Sequence, residues 1–275
     1  MIGRRALGEM PWGELAVLAG IWLAIAAFVF PRLLIGPTAE AFGGRSDYTD
    51  FGDSLEKAGE VTQYADLALA RSAAGNAIPP PPELLGDVTA ARVAWAYAVG
   101  ATMLFVAIAH VASRREPGQF ARDTGLDRFD FDRLWLPGLA VAITYLAVGA
   151  YGRLVDELGI DLLQSEVGGL ETTLRDPIAL SLYGIATVVA APFGEEFLYR
   201  GLIFGGLASW GFLPAAAVSS ALFAFSHLDP GTLIPFIAVG MVLSWLYWRS
   251  GSLWDAIAFH VLFNFLSFIL LLART

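Results

Sequence analysis

The sequence predicts an all-α protein, a polytopic bundle of about seven transmembrane helices. Hydrophobic residues make up 56% of its 275 residues and charged residues only 16%, and the mean hydropathy is +0.61. A soluble domain is about half apolar and about a quarter charged. A helix that crosses the bilayer core needs about 20 mainly apolar residues, and about seven such runs occur in this sequence. The lipid bilayer is therefore the expected surroundings of the chain.

Two features of the composition exclude whole classes of function. The sequence contains no cysteine, which excludes disulfides, thiolate metal sites and cysteine nucleophiles. Its formal net charge is -9, whereas a nucleic-acid surface needs clustered Lys and Arg to neutralise phosphates. We therefore expect no nucleic-acid partner.

The first predicted span covers residues 13–35, with an apolar stretch from Leu15 to Phe30. It has the outline of a signal peptide, but no small-residue cleavage pattern follows, so we expect a retained span. Residues 36–88 combine acids with short apolar pieces and end in the proline run 79–82, which predicts an extramembrane insert. Within this insert, the stretch 54–71 has partial helical spacing of apolar residues.

The remaining six spans are predicted from the later apolar runs. They cover residues 89–112, 134–154, 178–207, 211–228, 231–249 and 253–273. The predicted organisation is thus an N-terminal span (1–35), the insert (36–88), a second span with its loop (89–119) and a C-terminal helical domain (120–275).

The orientation follows from arginines in the short loops. Arg4 and Arg5 precede the first span, and five arginines lie between the second and third spans, which an up-and-down count places on the same side. This predicts a cytoplasmic N-terminus and location in the plasma (inner) membrane.

The fourth span carries an unusual group of charges. Glu195, Glu196 and Arg200 lie within an apolar run, where an ionised side chain costs about 2.5–3.5 kcal/mol at a helix centre. Glu196 and Arg200 are i,i+4 neighbours and are predicted to pair, which leaves Glu195 without a local partner. Pro192 cannot donate a backbone hydrogen bond and predicts a kink just before the acids. The alternative is an ion cluster that only holds helices together.

Two later spans each carry a histidine motif. Phe223 precedes His227 by one helical turn, so its ring can orient the imidazole. His260 and Asn264 are likewise i,i+4 and predict a polar face that points into the bundle. Interhelical hydrogen bonding alone would explain either motif. His110, near the end of the second span, is assigned to the membrane interface without a function.

Together these residues contain what hydrolysis of an amide bond requires. A carboxylate can activate water as a general base, and histidine and asparagine can donate hydrogen bonds to the oxyanion. On straight helices, however, His227 would lie about 9 Å, or six residues, from the depth of Glu195. A tilt or a kink must bring the two together.

In these three motifs the sequence resembles the CPBP (CAAX protease and bacteriocin-processing, or Abi) family of intramembrane peptidases. The family motifs E-E-x-x-x-R, F-x-x-x-H and H-x-x-x-N occur in the same order here, and they begin at Glu195, Phe223 and His260. The resemblance covers about residues 120–273, and Gly125-Leu126-Asp127 matches a common segment of the family more weakly.

The resemblance implies an intramembrane endopeptidase that acts on a peptide or a membrane protein. Glu195 would be the general base, assisted by His227, and His260 with Asn264 would stabilise the oxyanion. Glu196, Arg200 and Phe223 would shape the site. We favour a mechanism without a metal; the alternative is a divalent metal such as zinc bound by Glu195, His227 and His260.

Two other classes of function stay open at this point. A non-catalytic membrane scaffold or bacteriocin-immunity-type protein could use the same residues to bind a partner. A proton-coupled transporter is less favoured, because the sequence shows no internal repeat.

Overall fold

The structure, a computed structural model, describes residues 12–44, 87–160 and 170–273, together with the isolated positions 67, 70, 71, 74 and 163. Every regular element among these residues is helical. In chain order the helices are α1 (Glu14–Ala41), α2 (Val88–Ser113), α3 (Pro117–Asp123), α4 (Trp135–Leu158), α5 (Glu171–Arg175), α6 (Pro177–Trp210), α7 (Phe212–Phe225), α8 (Pro230–Ser250) and α9 (Leu253–Leu272).

Six of these helices are long and apolar enough to cross a membrane: α1, α2, α4 with the 3-10 turn before it, α6, α8 and α9. The seventh predicted span corresponds to α7, which is apolar but has only 14 residues. The predicted all-α bundle of about seven spans is therefore confirmed, and the chain is an integral membrane protein.

The first helix is longer than the sequence predicts. It continues through Pro31 and Pro37 to Ala41, so the start of the predicted insert is helical. Proline is tolerated in transmembrane helices when neighbouring groups satisfy the freed carbonyl. The rest of the predicted insert, including the helical stretch 54–71, lies outside the described residues apart from four isolated positions. Asp87 then starts α2 by accepting hydrogen bonds from the backbone N–H groups of Thr89 and Ala90.

Helix α6 changes its backbone pattern five times along its length. Two α-helical segments, Pro177–Gly184 and Ala191–Glu195, alternate with two π-helical segments, Ile185–Ala190 and Glu196–Phe204, and a short α-turn and a 3-10 turn complete it. Pro192 lies in the first turn of the second α-helical segment. The disruption predicted at this proline thus accompanies a change of helix type, and the second π segment begins at Glu196.

The start of α9 is fixed by the turn that follows α3. The backbone carbonyls of Thr124, Gly125 and Leu126 accept hydrogen bonds from Leu253 N (3.0 Å), Ser252 Oγ (3.0 Å) and Trp254 Nε1 (2.8 Å), respectively. Gly125 has φ +72°, which a residue with a Cβ atom rarely adopts. This turn therefore anchors the helix that carries His260 and Asn264.

Gly194 lets α6 contact the backbone of α2 directly beside the two glutamates. A Cβ atom at this position would lie 2.0 Å from the carbonyl oxygen of Thr102. We therefore expect Gly194→Ala to force α6 away from α2, at a cost of about 1–3 kcal/mol, and to displace Glu195. Thermal unfolding in detergent measures this loss.

The matched control is Gly149→Ala in α4, where nothing lies within 4 Å of the added methyl group. We expect this variant to be at least as stable as the wild type, because alanine favours a helix over glycine. Equal stability of the two variants would contradict the close approach at Gly194.

A salt bridge joins α2 to the beginning of α6. Arg92 Nη2 lies 2.6 Å from Asp176 Oδ2, and Asp176 caps α6 by accepting from Ala179 N at 2.8 Å. The Arg92 guanidinium, with the backbone N–H of Ala179, lowers the pKa of Asp176 from 3.8 to about 2. This interaction therefore stabilises the fold fully above about pH 4 and is lost as the pH falls through about 2.

Asp176→Asn is accordingly expected to lower the thermal unfolding temperature near neutral pH, and its difference from the wild type should shrink as the pH falls from about 4 to 2. Unfolding temperatures of both proteins across this pH range measure the effect. Asp156→Asn, at an exposed position near the end of α4, serves as the control. A difference that stays constant with pH would show that the ion pair is not responsible.

Candidate active site

The second π segment of α6 is braced by side chains from two other helices. Ser219 Oγ of α7 donates to the carbonyl of Tyr199 at 2.7 Å, and the indole N–H of Trp12, just before α1, donates to the carbonyl of Leu202 at 3.1 Å. A π-helix is rare and occurs frequently at functional sites. These contacts hold in place the segment that carries Glu196 and Arg200.

Glu196 and Arg200 form a completely buried ion pair, as predicted. Arg200 Nη1 lies 3.1 Å from Glu196 Oε1, and both side chains are 0% exposed. The guanidinium also donates from Nη2 to the carbonyl of Gly240 at 3.3 Å and lies 4.5 Å from the centre of the Phe223 ring. Such a buried pair is stable only while both partners are present.

His260 connects this ion pair with the second glutamate. Its Nδ1 lies 2.8 Å from Glu196 Oε1, and its Nε2 lies 3.8 Å from Glu195 Oε2. A carboxylate at Nδ1 favours the tautomer with the proton there, which leaves Nε2 directed at Glu195. The Glu195 side chain is 13% exposed and that of Glu196 is 0% exposed, so Glu195 is the more accessible of the two glutamates.

Phe223 lies between the two histidine motifs. Its ring centre is 5.0 Å from that of His227 and 5.7 Å from that of His260. His227 follows the end of α7, donates from Nδ1 to the Phe223 carbonyl (2.8 Å), and packs against Phe236 at 4.4 Å. Because α7 ends at Phe225, its last turn and His227 reach the aromatic layer that also contacts His260. This packing relates His227 to the site despite its predicted difference in depth.

Asn264 lies one turn after His260 on α9 and faces the first π segment. Its Nδ2 donates to the carbonyl of Thr187 at 2.8 Å. Helix α9 therefore contacts both π segments of α6, through Asn264 at the first and through His260 at the second. One amide hydrogen of Asn264 is used in this contact, which leaves its second N–H as a potential donor.

Two residues of the site were missed from the sequence. Tyr199 packs its ring at 5.5 Å from Phe223 and also contributes the carbonyl that Ser219 binds. Thr187 contributes the carbonyl that binds Asn264. Tyr199 is at i+4 from Glu195 in the sequence, and this spacing could have indicated that the two side chains lie on the same side of the helix. His110 lies elsewhere, in an aromatic cluster with Phe120 (4.7 Å) and Phe197 (6.0 Å).

The zinc alternative would use Glu195, His227 and His260 as ligands. A catalytic zinc needs three protein ligands that converge on one point. Among the residues that the structure describes, no three His, Asp or Glu side chains form a group that could hold a metal ion.

The part of the chain that contains these residues is similar in sequence to known proteins. Residues 177–266 match a family model described as "Type II CAAX prenyl endopeptidase Rce1-like". The chain is also 32% identical over 87 residues to the protein called putative membrane peptidase YdiL of Bacillus subtilis (strain 168). That similarity covers 31% of this chain and 36% of the relative, so it spans about a third of the relative's length. No solved structure matches the chain.

The family model covers all the residues of the candidate site, namely Glu195, Glu196, Arg200, Phe223, His227, His260 and Asn264. The descriptions of the family and of the relative both name a peptidase, and the relative's name adds the membrane. The similarity over residues 177–266 agrees with the resemblance to the CPBP family of intramembrane peptidases that the three ordered motifs predict.

Proposed function

We propose that this chain is an intramembrane endopeptidase that hydrolyses a peptide bond in a peptide or a membrane protein. The observation that carries the proposal is the position of His260 between the two glutamates, with Nδ1 2.8 Å from Glu196 Oε1 and Nε2 3.8 Å from Glu195 Oε2. A structural ion cluster needs only the Glu196–Arg200 pair. A second, more accessible carboxylate opposite Nε2 of a buried imidazole is the arrangement that general acid–base chemistry requires.

Glu195 is the general base of this mechanism. It takes a proton from a water molecule, whose oxygen bonds to the scissile carbonyl carbon. The same carboxyl group then returns the proton to the leaving amine as the C–N bond breaks. Glu196 remains paired with Arg200 at full burial and acts on the reaction only by orienting His260.

His260 and Asn264 stabilise the oxyanion. With Nδ1–H held by Glu196, the Nε2 side of His260 faces the space beside Glu195, and as an imidazolium it donates a hydrogen bond there. Asn264 adds its second amide N–H from one turn further along α9. His227, held against Phe223 and Phe236, assists in placing the attacking water.

We further propose that the protein lies in the plasma (inner) membrane with a cytoplasmic N-terminus. The support is the group of arginines between α2 and α4, which the positive-inside rule places in the cytoplasm. Tagging the N-terminus in spheroplasts and testing its access to protease measures this orientation. Cleavage of the tag from outside would contradict it.

The proposed activity is tested with the full chain in proteoliposomes and a peptide library, with and without a strong chelator. We expect cleavage in both samples at the same rate, because Glu195 activates water without a metal in the mechanism above. Loss of cleavage with the chelator, restored by added zinc, would overturn the metal-free mechanism. No cleavage by a folded preparation would favour the non-catalytic scaffold instead.

A further inference from the structure

Several buried polar atoms behind the ion pair have no hydrogen-bond partner in the described part of the chain. They are Glu196 Oε2, Arg200 Nε, Ser220 Oγ, Ser244 Oγ and Tyr247 Oη. All five side chains belong to residues that are 0% exposed. Native proteins pair most of their buried polar atoms, and where protein groups are lacking, internal water supplies the hydrogen bonds.

Two of these atoms, those of Ser244 and Tyr247, lie on one face of α8, and the other three belong to α6 and α7. Gly240, Ser244 and Tyr247 stand at i, i+4 and i+7, which places them on the same side of the helix, and we call them the α8 polar face. Arg200 reaches this face through its hydrogen bond to the Gly240 carbonyl. Ser220 meets it at the same point, since a Cβ atom on Gly240 would lie 2.8 Å from Ser220 Oγ.

The spacing along α8 suits bridging by water. Ser244 lies about 6 Å further along the helix axis than Gly240, and Tyr247 about 4.5 Å further still. One water molecule that makes two hydrogen bonds of about 2.8 Å spans about 5.5 Å. One or two molecules therefore suffice for each gap.

The other end of the α8 polar face lies near the C-terminal end of α8. Tyr247 is one turn before the end of this helix at Ser250. The turn after Asp123 binds the start of α9, because the carbonyl of Thr124 accepts from Leu253 N. The Asp123 side chain is 28% exposed.

We propose that the α8 polar face holds a row of internal water molecules, which connects the Glu196–Arg200 pair with the C-terminal end of α8 and supplies water to Glu195. Each peptide bond that is hydrolysed consumes one water molecule. The supply role rests on the proposed peptidase function, but the presence of the water row does not.

The water row can be tested without any activity, because the chain has no native cysteine. Ser244→Cys introduces a single thiol into the full-length protein in nanodiscs, and its S–H stretching band is followed by infrared spectroscopy after transfer into D2O. We expect this band to be lost and replaced by an S–D band. Ser220→Cys provides a second position on the same route and is expected to exchange likewise.

Val239→Cys is the matched control, since Val239 directly precedes Gly240 and is 2% exposed within the apolar core. Its S–H band should persist. Retention of the S–H band in both serine variants, or equally fast exchange in the control, would overturn the water row. The exchange of the S–H bands can be measured and interpreted even if the protein cleaves no peptide.

The supply role has its own test in the cleaving protein. Ser244→Ala removes the hydroxyl without adding bulk at this buried position, so we expect a lower kcat with an unchanged KM. A wild-type kcat in this variant would overturn the supply role while leaving the proposed peptidase function intact.

Discussion

Replacing Glu195 with glutamine is expected to lower kcat for peptide cleavage by about 10²–10⁴-fold, the usual contribution of a general base. Glutamine keeps the size of the side chain but cannot accept the proton of the attacking water. Because Glu195 is not part of the buried Glu196–Arg200 pair, the fold should persist. The measurements are kcat and KM in proteoliposomes, with thermal unfolding to confirm the fold.

The control for this substitution is Glu157→Gln, at an exposed position near the end of α4. It makes the same chemical change away from the site and should leave kcat unchanged. A kcat for Glu195→Gln close to that of the wild type would remove Glu195 from the role of base.

Glu196→Gln is expected to act differently, by destabilising the protein by about 3–5 kcal/mol. The substitution leaves the Arg200 guanidinium at 0% exposure without its carboxylate partner, and it replaces the charged hydrogen-bond acceptor of His260 with a neutral amide oxygen. We therefore expect loss of both stability and activity. Equilibrium unfolding in mixed detergent micelles measures the change in the free energy of unfolding.

The double variant Glu196→Gln with Arg200→Met sharpens this prediction. Removing both charges eliminates the uncompensated ion, so the double variant should be more stable than Glu196→Gln alone. It should nevertheless stay inactive, because His260 has lost the negative charge of the carboxylate that orients it. If Glu196→Gln unfolds no more easily than Glu195→Gln, the ion pair has no structural importance.

The parts of the fold that follow from hydropathy and local spacing could be predicted from the sequence. The spans were found because the bilayer demands long apolar runs, and the Glu196–Arg200 pair was found because i,i+4 residues are neighbours on any helix. The extension of α1 from residue 35 to Ala41 was missed because the acids that begin at Glu40 indicated an extramembrane segment.

The features that depend on packing between helices could not be predicted. The apolar pattern of α6 does not distinguish α from π geometry, since nearly every position of the helix is apolar. The contact of His260 with Glu196, and that of Asn264 with the Thr187 carbonyl, depend on the relative position of α6 and α9. The sequence identified these side chains as polar and inward-facing, but only the structure supplies their partners.

The same limit applies to His227. A straight-helix estimate gave it a different depth from Glu195, whereas α7 ends early and Phe223 contacts both His227 and His260. The length of α7 depends on the turn after Phe225, where Leu228 adopts a left-handed conformation with φ 54°. No residue type in this turn predicts that conformation, since leucine rarely adopts it.

The central claim is that Glu195, opposite His260, activates water to hydrolyse a peptide bond within the membrane. The most direct test is cleavage in proteoliposomes prepared in water enriched in ¹⁸O, followed by mass spectrometry of the product's new C-terminal carboxyl group. We predict incorporation of ¹⁸O by the wild type and no product with Glu195→Gln. Cleavage with ¹⁸O incorporation at an undiminished rate in Glu195→Gln would contradict the claim.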